Sequence, residues 1–445
     1  QERFQVLLVG SMSTPNRAKP APPPRKRNPA KLDRHSDGTV SFKLNGTFFR
    51  VPGQYSPLGI VGKGSYGVVC AAQNSYTRER VAIKKISPMC ADEWDAKHTL
   101  RELRLMRLLE HHPNVISLRD LSVRVEEDCL YIAMELMDSD LHKIIQSKQK
   151  LSMAHCQVLM KQVLLGVNAM HKNDVFHRDL KPGNILVGRD CQVRITDFGL
   201  ARCMKSETKH EDAVDGDGGN PAAAMTEYVV TRWYRCPELL LAPHVAYTNA
   251  VDMWSVGCIF AELMLREPLF PGRSYVHQVQ LILETIGMPP SVEAMGFVPR
   301  SDAKTYLSRQ TVKPGRPWHK ILPNANPVAL DIVSRLLIFN PTKRDNSSQA
   351  LSHAYFNDCP ELPCGKEEKT PGGVNLAPPP VDVDFSFDGG EVELEELRSL
   401  ILGEVEIMSA RNRAEKVKKA EADKASAEAS IRRRIAEEEG RAGIG

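Results

Sequence analysis

The hydrophobic rhythm of the chain changes once, near residue 140, and that change limits what it can fold into. Before it, Leu58–Val61, Val68–Ala72, Val81–Ile86, Leu118–Val125 and Leu130–Glu135 are short, rich in valine and alternating, as strands of one twisted sheet are. One helical stretch interrupts them at Asp95 to Leu109, where Leu100, Leu103, Leu105 and Leu108 recur near helical spacing. From Asp140 the pattern is helical. Gln157–Met170, Ala250–Leu265, His277–Ile286 and Pro327–Leu337 each carry apolar residues at three- and four-residue intervals. The expected fold is α+β: a small antiparallel β-sheet lobe with one helix, then a larger, mainly helical lobe.

The 445 residues suffice for one large two-lobed domain with tails. With 42% hydrophobic and 26% charged residues the composition is that of a soluble globular protein. A net charge of +4 gives no argument for nucleic acid as a partner. No apolar run approaches the roughly 20 residues a membrane span needs, so no membrane is expected either. The ten cysteines show no CxxC pair or metal-like spacing and read as reduced intracellular thiols. Residues 1–50 are expected to be a disordered tail. Six prolines fall between Thr14 and Ala30, and Arg25, Lys26 and Arg27 form a basic cluster of the kind that directs nuclear import. After His353 the chain turns irregular and Pro-rich. A short amphipathic helix follows in the extension 357–408, with Leu394, Leu397, Leu400, Ile401 and Val405 on one face, and 409–445 is a charged tail.

Chemistry enters with Gly62-Lys63-Gly64-Ser65-Tyr66-Gly67-Val68-Val69, a glycine-rich turn between two predicted strands. Glycines there let a hairpin backbone approach phosphate oxygens and aim N–H groups at them. A dinucleotide-binding loop of similar spelling would be followed by a helix, and here a strand follows. Val81-Ala82-Ile83-Lys84 lies on the next strand, and Glu102, 18 positions later on the predicted helix, is a plausible ion-pair partner for Lys84. Such a pair would hold the ammonium against the α and β phosphates of a nucleotide. The stronger signal is His177-Arg178-Asp179-Leu180-Lys181-Pro182-Gly183-Asn184, followed after a predicted strand by Asp197-Phe198-Gly199. Phosphoryl transfer needs a carboxylate to orient and deprotonate a hydroxyl, hard oxygen ligands for Mg²⁺, and cations near the moving group. Asp179 supplies the first, Asn184 and Asp197 the second, Lys84 and Lys181 the third.

These motifs, in this order, resemble the protein kinases over Tyr55 to Phe356. The resemblance implies the two-lobed kinase fold with a small lobe at about 55–137, a large lobe at about 138–356, and ATP in the cleft. It places Val61, Gly62, Lys63, Gly64, Ser65, Tyr66, Gly67, Val69, Ala82 and Lys84 around the nucleotide. Met134 would lie at the back of the adenine pocket, Glu135 and Met137 would present hinge backbone to the base, Leu186 would form the floor, and Asp140 would approach the ribose. Cys236-Pro237-Glu238 stands where kinases carry Ala-Pro-Glu, with the Glu238–Arg344 pair intact.

Thr226-Glu227-Tyr228, followed by Val229 to Arg235, is similar to the activation segment of MAP kinases of the extracellular-signal-regulated type. Phosphorylation adds about two negative charges and orders a loop only where cations meet them. By motif position Arg101, Arg178 and Arg202 would receive phospho-Thr226, and Arg232 and Arg235 phospho-Tyr228; the planar fork of arginine suits phosphate. The family implies an upstream dual-specificity MAP kinase kinase, Ser-Pro and Thr-Pro protein substrates, phosphatases as partners, and a place in the cytoplasm or nucleus. Leu265 to Ser308 occupies the position of the helical insert shared with cyclin-dependent kinases, which lack the Thr-Glu-Tyr switch. The sequence departs from the family in two places. From Asp197 to Thr226 is 29 residues, an excess that falls on the acidic, Gly-rich 211–224, read as a surface insertion. In the acidic docking patch Glu361 keeps an acid but Cys364 replaces another, which puts docking there in doubt, although Asp358, Glu367 and Glu368 lie near. A scaffold without chemistry is the rival reading, and the filled catalytic positions speak against it.

Overall fold

The computed structural model describes residues 31–64, 67–203, 232–241, 248–288, 301–309, 314–360, 383–388 and 390–442, with side chains at all of these except 301, 302, 419, 420 and 422–442. The chain divides into two units, one formed by 29–100, 118–135 and 392–445 and the other by 101–117 and 136–391 together with residues 1–28.

In the first unit, β1 (Asp33–Arg34), β2 (Thr39–Leu44) and β3 (Thr47–Pro52) form a three-stranded antiparallel sheet. This corrects the expectation of disorder over residues 1–50 for its last third. Val40 and Phe42 on β2 alternate with polar neighbours, Phe49 and Val51 on β3 flank Arg50, and all four are buried. Asn45 and Gly46, at φ 47° and 87°, make the two-residue turn between the strands. β4 (Tyr55–Gly64), β5 (Gly67–Asn74), β6 (Arg80–Ile86), β7 (Leu118–Arg124) and β8 (Cys129–Glu135) form a five-stranded sheet in the order β4-β5-β6-β8-β7. Four of the five predicted strands lie within these elements; the fifth, Leu118–Val125, overruns β7 by Val125, which begins a 3-10 turn. The β2–β3 hairpin covers one face of that sheet, packing on Cys70, Ala72, Val81, Ile83, Cys129, Tyr131 and Ala133. Arg50 N–H donates to the Tyr131 hydroxyl at 3.0 Å, fixing the hairpin in register. α1 (Glu93–Leu108) is capped by Asp92, whose side chain accepts from Asp95 N–H at 2.8 Å.

The second unit contains β9 (Ser139–Asp140), α2 (Leu141–Gln146), α3 (Met153–Lys172), β10 (Val175–Phe176), β11 (Ile185–Val187), β12 (Val193–Ile195), β13 (Arg202–Cys203), α4 (Pro237–Leu241), α5 (Ala250–Leu265), α6 (Tyr275–Ile286), α7 (Ser301–Ser308), α8 (Trp318–Ile321), α9 (Pro327–Leu336) and α10 (Ser347–Leu351). α5 is buried from Ala250 to Leu263 on every side, as expected of a helix apolar all round. The core of this unit gathers about it, with Trp254 stacked on Phe270 at 5.7 Å and Gly257 against Leu336 and Leu337. The short strands pair as β12-β11-β9 and β10-β13, and these two small sheets carry the chemistry-bearing loops.

The last helix, α11 (Leu394–Ala442), belongs to the first unit and runs well past the short helix expected, through the charged segment 409–442. Leu397, Ile401, Glu404 and Met408, one helical face, are buried. Asn412 then caps the irregular edge of β7, donating to Arg119 O at 3.2 Å and to Asp120 Oδ1 at 2.9 Å. Among the described residues no helix is long and apolar enough to cross a membrane, and the cysteines are free thiols.

Candidate active site

The loop that follows β10 is held from beneath by one buried carboxylate. Asp252, on α5 and fully buried, accepts from the backbone N–H of His177 and of Arg178, each at 2.9 Å, and from His171 Nε2 at 2.9 Å. Burial alone would raise its pKa. The hydrogen bond and charge of His171, with His177, outweigh that and hold the carboxyl below its usual value. The two backbone bonds fix Arg178 at φ 67°, in the left-handed region, and so set the direction in which Asp179 leaves the core.

Around Asp179 the expected machinery is assembled within this unit. Lys181 Nζ donates to Asp179 Oδ2 at 2.6 Å, and Asn184 Nδ2 donates to Asp179 O at 2.9 Å and to Oδ2 at 3.1 Å. With its amide N–H groups used this way, Asn184 keeps Oδ1 as a hard ligand suited to Mg²⁺. Asn184 O accepts from Thr196 N–H at 3.0 Å, which sets the following residue, Asp197, beside it. Asp197 also has a left-handed backbone, φ 70°, and Phe198 is fully buried against His177 with ring centroids 5.4 Å apart. A carboxylate and a carboxamide oxygen fit a hard divalent cation, and the Asn184 side chain that presents the second is held by the Asp179 backbone. Leu186, expected on the pocket floor, pairs with Asp140 across β11 and β9, so those two predicted nucleotide contacts are neighbours.

In the first unit, strand parity sorts the nucleotide residues from the core. Val81 and Ile83 turn to the face covered by the hairpin; Ala82 and Lys84 turn to the other. Val69 pairs with Lys84, Ala82 with Met134, and Gly62 with Val69, so these five expected residues share the face opposite the hairpin. The glycines differ in why they are glycine. Gly67 lies at φ 144°, and a Cβ there would come within 2.1 Å of Lys85 O. A Cβ on Gly62 would meet nothing within 4 Å among the described residues, so none of these neighbours requires glycine there. Ser65 and Tyr66 lie outside the described residues.

The family model described as protein kinase domain matches residues 55–356. Mitogen-activated protein kinase 3 of Arabidopsis thaliana is 44% identical over 329 residues, which span 73% of this chain and 84% of that protein. Mitogen-activated protein kinase 6 of the same plant is 41% identical over 380 residues, 84% of this chain and 88% of that protein. Extracellular signal-regulated kinase 1 of Dictyostelium discoideum is 43% identical over 338 residues, 75% of this chain and 60% of that protein. This chain belongs to the MAP kinase family of protein kinases. It is a Ser/Thr protein kinase of MAP kinase signalling, and its fold is the two-lobed kinase fold.

Thr226 and Tyr228, the expected switch residues, lie outside the described residues, as do the insertion 211–224 and Glu361 and Cys364 of the expected docking patch. The arginines expected to receive the phosphates are described. Arg101, on α1, is buried and already engaged: Nε and Nη2 grip the carboxylate of Asp388 at 2.6 to 3.1 Å, and Nη1 donates to Gly199 O at 2.7 Å. Arg104 binds the same segment through Asp384 and stacks on Phe387 at 5.1 Å. Arg202, three residues after Gly199, pairs with Phe176 across β13 and β10, two residues before Arg178. The strand pairing and the Arg101–Gly199 bond therefore bring the backbone segments that carry the three arginines near one another. Glu238 and Arg344 form the expected pair at 2.7 and 3.1 Å, with the arginine over Trp254, and Cys236 beside them is fully buried, its thiol pKa pushed well up by burial. A neutral thiol thus fills the place of an alanine without adding charge.

Sequence reasoning missed Asp252, Asp388 and Tyr275. Nothing local marks any of them, since their partners lie 74, 287 and 40 residues away.

Proposed function

We propose that this MAP kinase phosphorylates Ser or Thr followed by proline, and that phosphorylation of Thr226 and Tyr228 switches it on. The observation that supports this reading most is the Asp179 carboxylate, fixed by Lys181 at 2.6 Å and Asn184 at 3.1 Å on a loop hung from the core. In that position Asp179 orients the substrate hydroxyl and accepts its proton, while Lys181 neutralises charge on the transferring group. Lys84 approaches the α and β phosphates of ATP, and the glycine-rich turn with Gly62, Lys63 and Gly64 covers them. Mg²⁺ would be held by Asn184 and Asp197, where it supplies neutralisation of phosphate charge. The proline preference follows from the activation segment: once Arg232 and Arg235 are engaged, the substrate-facing turn asks no N–H of the residue after the target. An upstream dual-specificity kinase sets the two phosphates, phosphatases remove them, and the kinase works in the cytoplasm, the nucleus or both.

The test is a Ser-Pro peptide assay with the doubly phosphorylated protein. Asp179→Asn is expected to lower kcat by about 10²- to 10⁴-fold, the range for loss of a positioned general base, with ATP binding retained. Undiminished turnover would remove Asp179 from the chemistry. A substrate set without preference for proline would remove the specificity reading alone.

A further inference from the structure

Two cations converge on one aromatic ring at the start of α6. The guanidinium carbon of Arg232 lies 5.5 Å from the ring centroid of Tyr275, and that of Arg235 lies 5.6 Å from it. Arg235 Nη1 also donates to the Tyr275 hydroxyl at 2.6 Å, and Arg232 Nη1 donates to Arg273 O at 3.1 Å. Arg232 Nε is buried and has no hydrogen-bond partner among the described residues. The segment carrying both arginines is clamped to the same helix start: Trp233 Nε1 donates to Gly272 O at 3.1 Å, and buried Gln278 accepts from Gly272 N–H at 3.0 Å while donating to Trp233 O at 3.3 Å. Like charges so close repel each other. The π-faces of an aromatic ring offset that repulsion, and they do so without adding a negative charge that would compete with an incoming anion.

We propose that Tyr275 is a positioning residue for phospho-Tyr228: its ring holds Arg232 and Arg235 together as a two-pronged phosphate receptor before the phosphate arrives. This rests on the reading that these two arginines receive that phosphate. The unmet Nε–H of Arg232 is a donor kept for it, and Tyr275 Oη occupies the Arg235 fork until the phosphate, a far stronger acceptor, displaces it. A carboxylate in the place of Tyr275 would hold the arginines as well but would repel the dianion. A phenol does not.

The experiment follows removal of the phosphates from the doubly phosphorylated full chain, using a tyrosine phosphatase for Tyr228 and a Ser/Thr phosphatase for Thr226. A phosphate seated on its arginines is shielded from attack. Tyr275→Leu, which removes the ring, is expected to speed loss of the Tyr228 phosphate about tenfold, the effect of losing two cation–π contacts. Loss from Thr226 should stay within about twofold, a split that general loosening of the fold would not produce. Tyr275→Phe, which keeps the ring, should restore protection to within about threefold of the parent, since the one bond it removes, from the Arg235 guanidinium to the hydroxyl, is the bond the phosphate itself displaces. Tyr275→Gln serves as a second ring-removing variant should Tyr275→Leu not fold. If Arg232→Ala and Arg235→Ala each speed the loss but the ring-removing variants do not, the role of Tyr275 is overturned and the phosphotyrosine reading stands. If the arginine variants also leave the rate unchanged, the phosphotyrosine reading itself fails.

Discussion

The contact between Arg101 and Asp388 makes a quantitative demand on the switch. Both side chains are buried, 2% and 3% exposed, and the carboxylate accepts from Nε at 3.0 and 3.1 Å and from Nη2 at 2.6 Å. Asp388→Ala would leave those two donors of a buried guanidinium without acceptors, with only the bond from Nη1 to Gly199 O remaining. Breaking a buried pair by removing one partner costs about 3–5 kcal/mol. Counting two hydrogen bonds to a charged group, each about 1.5–3 kcal/mol, gives an overlapping range of about 3–6 kcal/mol. Asp388→Asn keeps one acceptor oxygen and loses the charge, and is expected to cost roughly half as much. If phospho-Thr226 takes Arg101, the phosphate replaces the lost carboxylate, and the cost of Asp388→Ala should fall to about 1 kcal/mol or less in the doubly phosphorylated protein. Urea unfolding of the parent and variant, each with and without the two phosphates, measures all four corners of this cycle. The unphosphorylated Asp388→Ala protein should also accept the phosphate more readily, because Arg101 no longer has to be taken from a competitor. An equal cost in both phosphorylation states would refute the reasoning, since it would mean that Arg101 keeps the same partners throughout.

Further perturbations separate binding, scaffold and titration. Gly62→Ala should leave stability within about 0.5 kcal/mol, there being no atom among the described residues to meet, while lowering nucleotide affinity measured by calorimetry. Gly67→Ala places its Cβ against Lys85 O at a strained φ and should cost at least about 2 kcal/mol, read by thermal melting. Asp252 has its pKa held down in the fold, so its contribution to stability is present above the ordinary carboxylate range and is lost as pH falls through its lower folded value. Asp252→Asn should flatten that acid limb in unfolding titrations and lower kcat by releasing the backbone of His177 and Arg178. Glu262 behaves in the opposite sense: burial raises its pKa, and the bond from the Tyr234 hydroxyl at 2.6 Å opposes this only in part. Its contribution is full below about 4.5 and declines as pH rises through the folded value, so Glu262→Gln should gain on the parent as pH rises above the ordinary carboxylate range.

What the sequence made legible and what it hid follow from the range of the interactions involved. The five central strands and α3, α5, α6 and α9 announce themselves because alternation and helical spacing are local properties of the chain. The catalytic loop is equally legible, since Asp179, Lys181 and Asn184 act on one another within five residues. The hairpin of β2 and β3 was within reach as well. Thr39 to Pro52 alternates on both sides of Asn45-Gly46, a strong hairpin signal, but the Pro-rich residues before it and the absence of a motif drew the tail too far inward.

Asp252, Asp388 and Tyr275 are of another kind. Each is an ordinary acid or aromatic in sequence, and each acquires its role only when folding brings a cation or a backbone N–H to it from far along the chain. Asp252 shows why such residues matter to chemistry as much as to stability. A carboxylate in the most buried helix would cost several kcal/mol if left unpaired, and three donors meet it. Two of those donors are the backbone N–H groups that fix the bend at Arg178. The free energy that keeps the charge tolerable in the core is therefore the same free energy that aims Asp179, and neither can be lost without the other. The motif names Asp179 as the residue proposed to receive the substrate proton. The reason it points the right way is written 74 residues later, in a helix outside that motif.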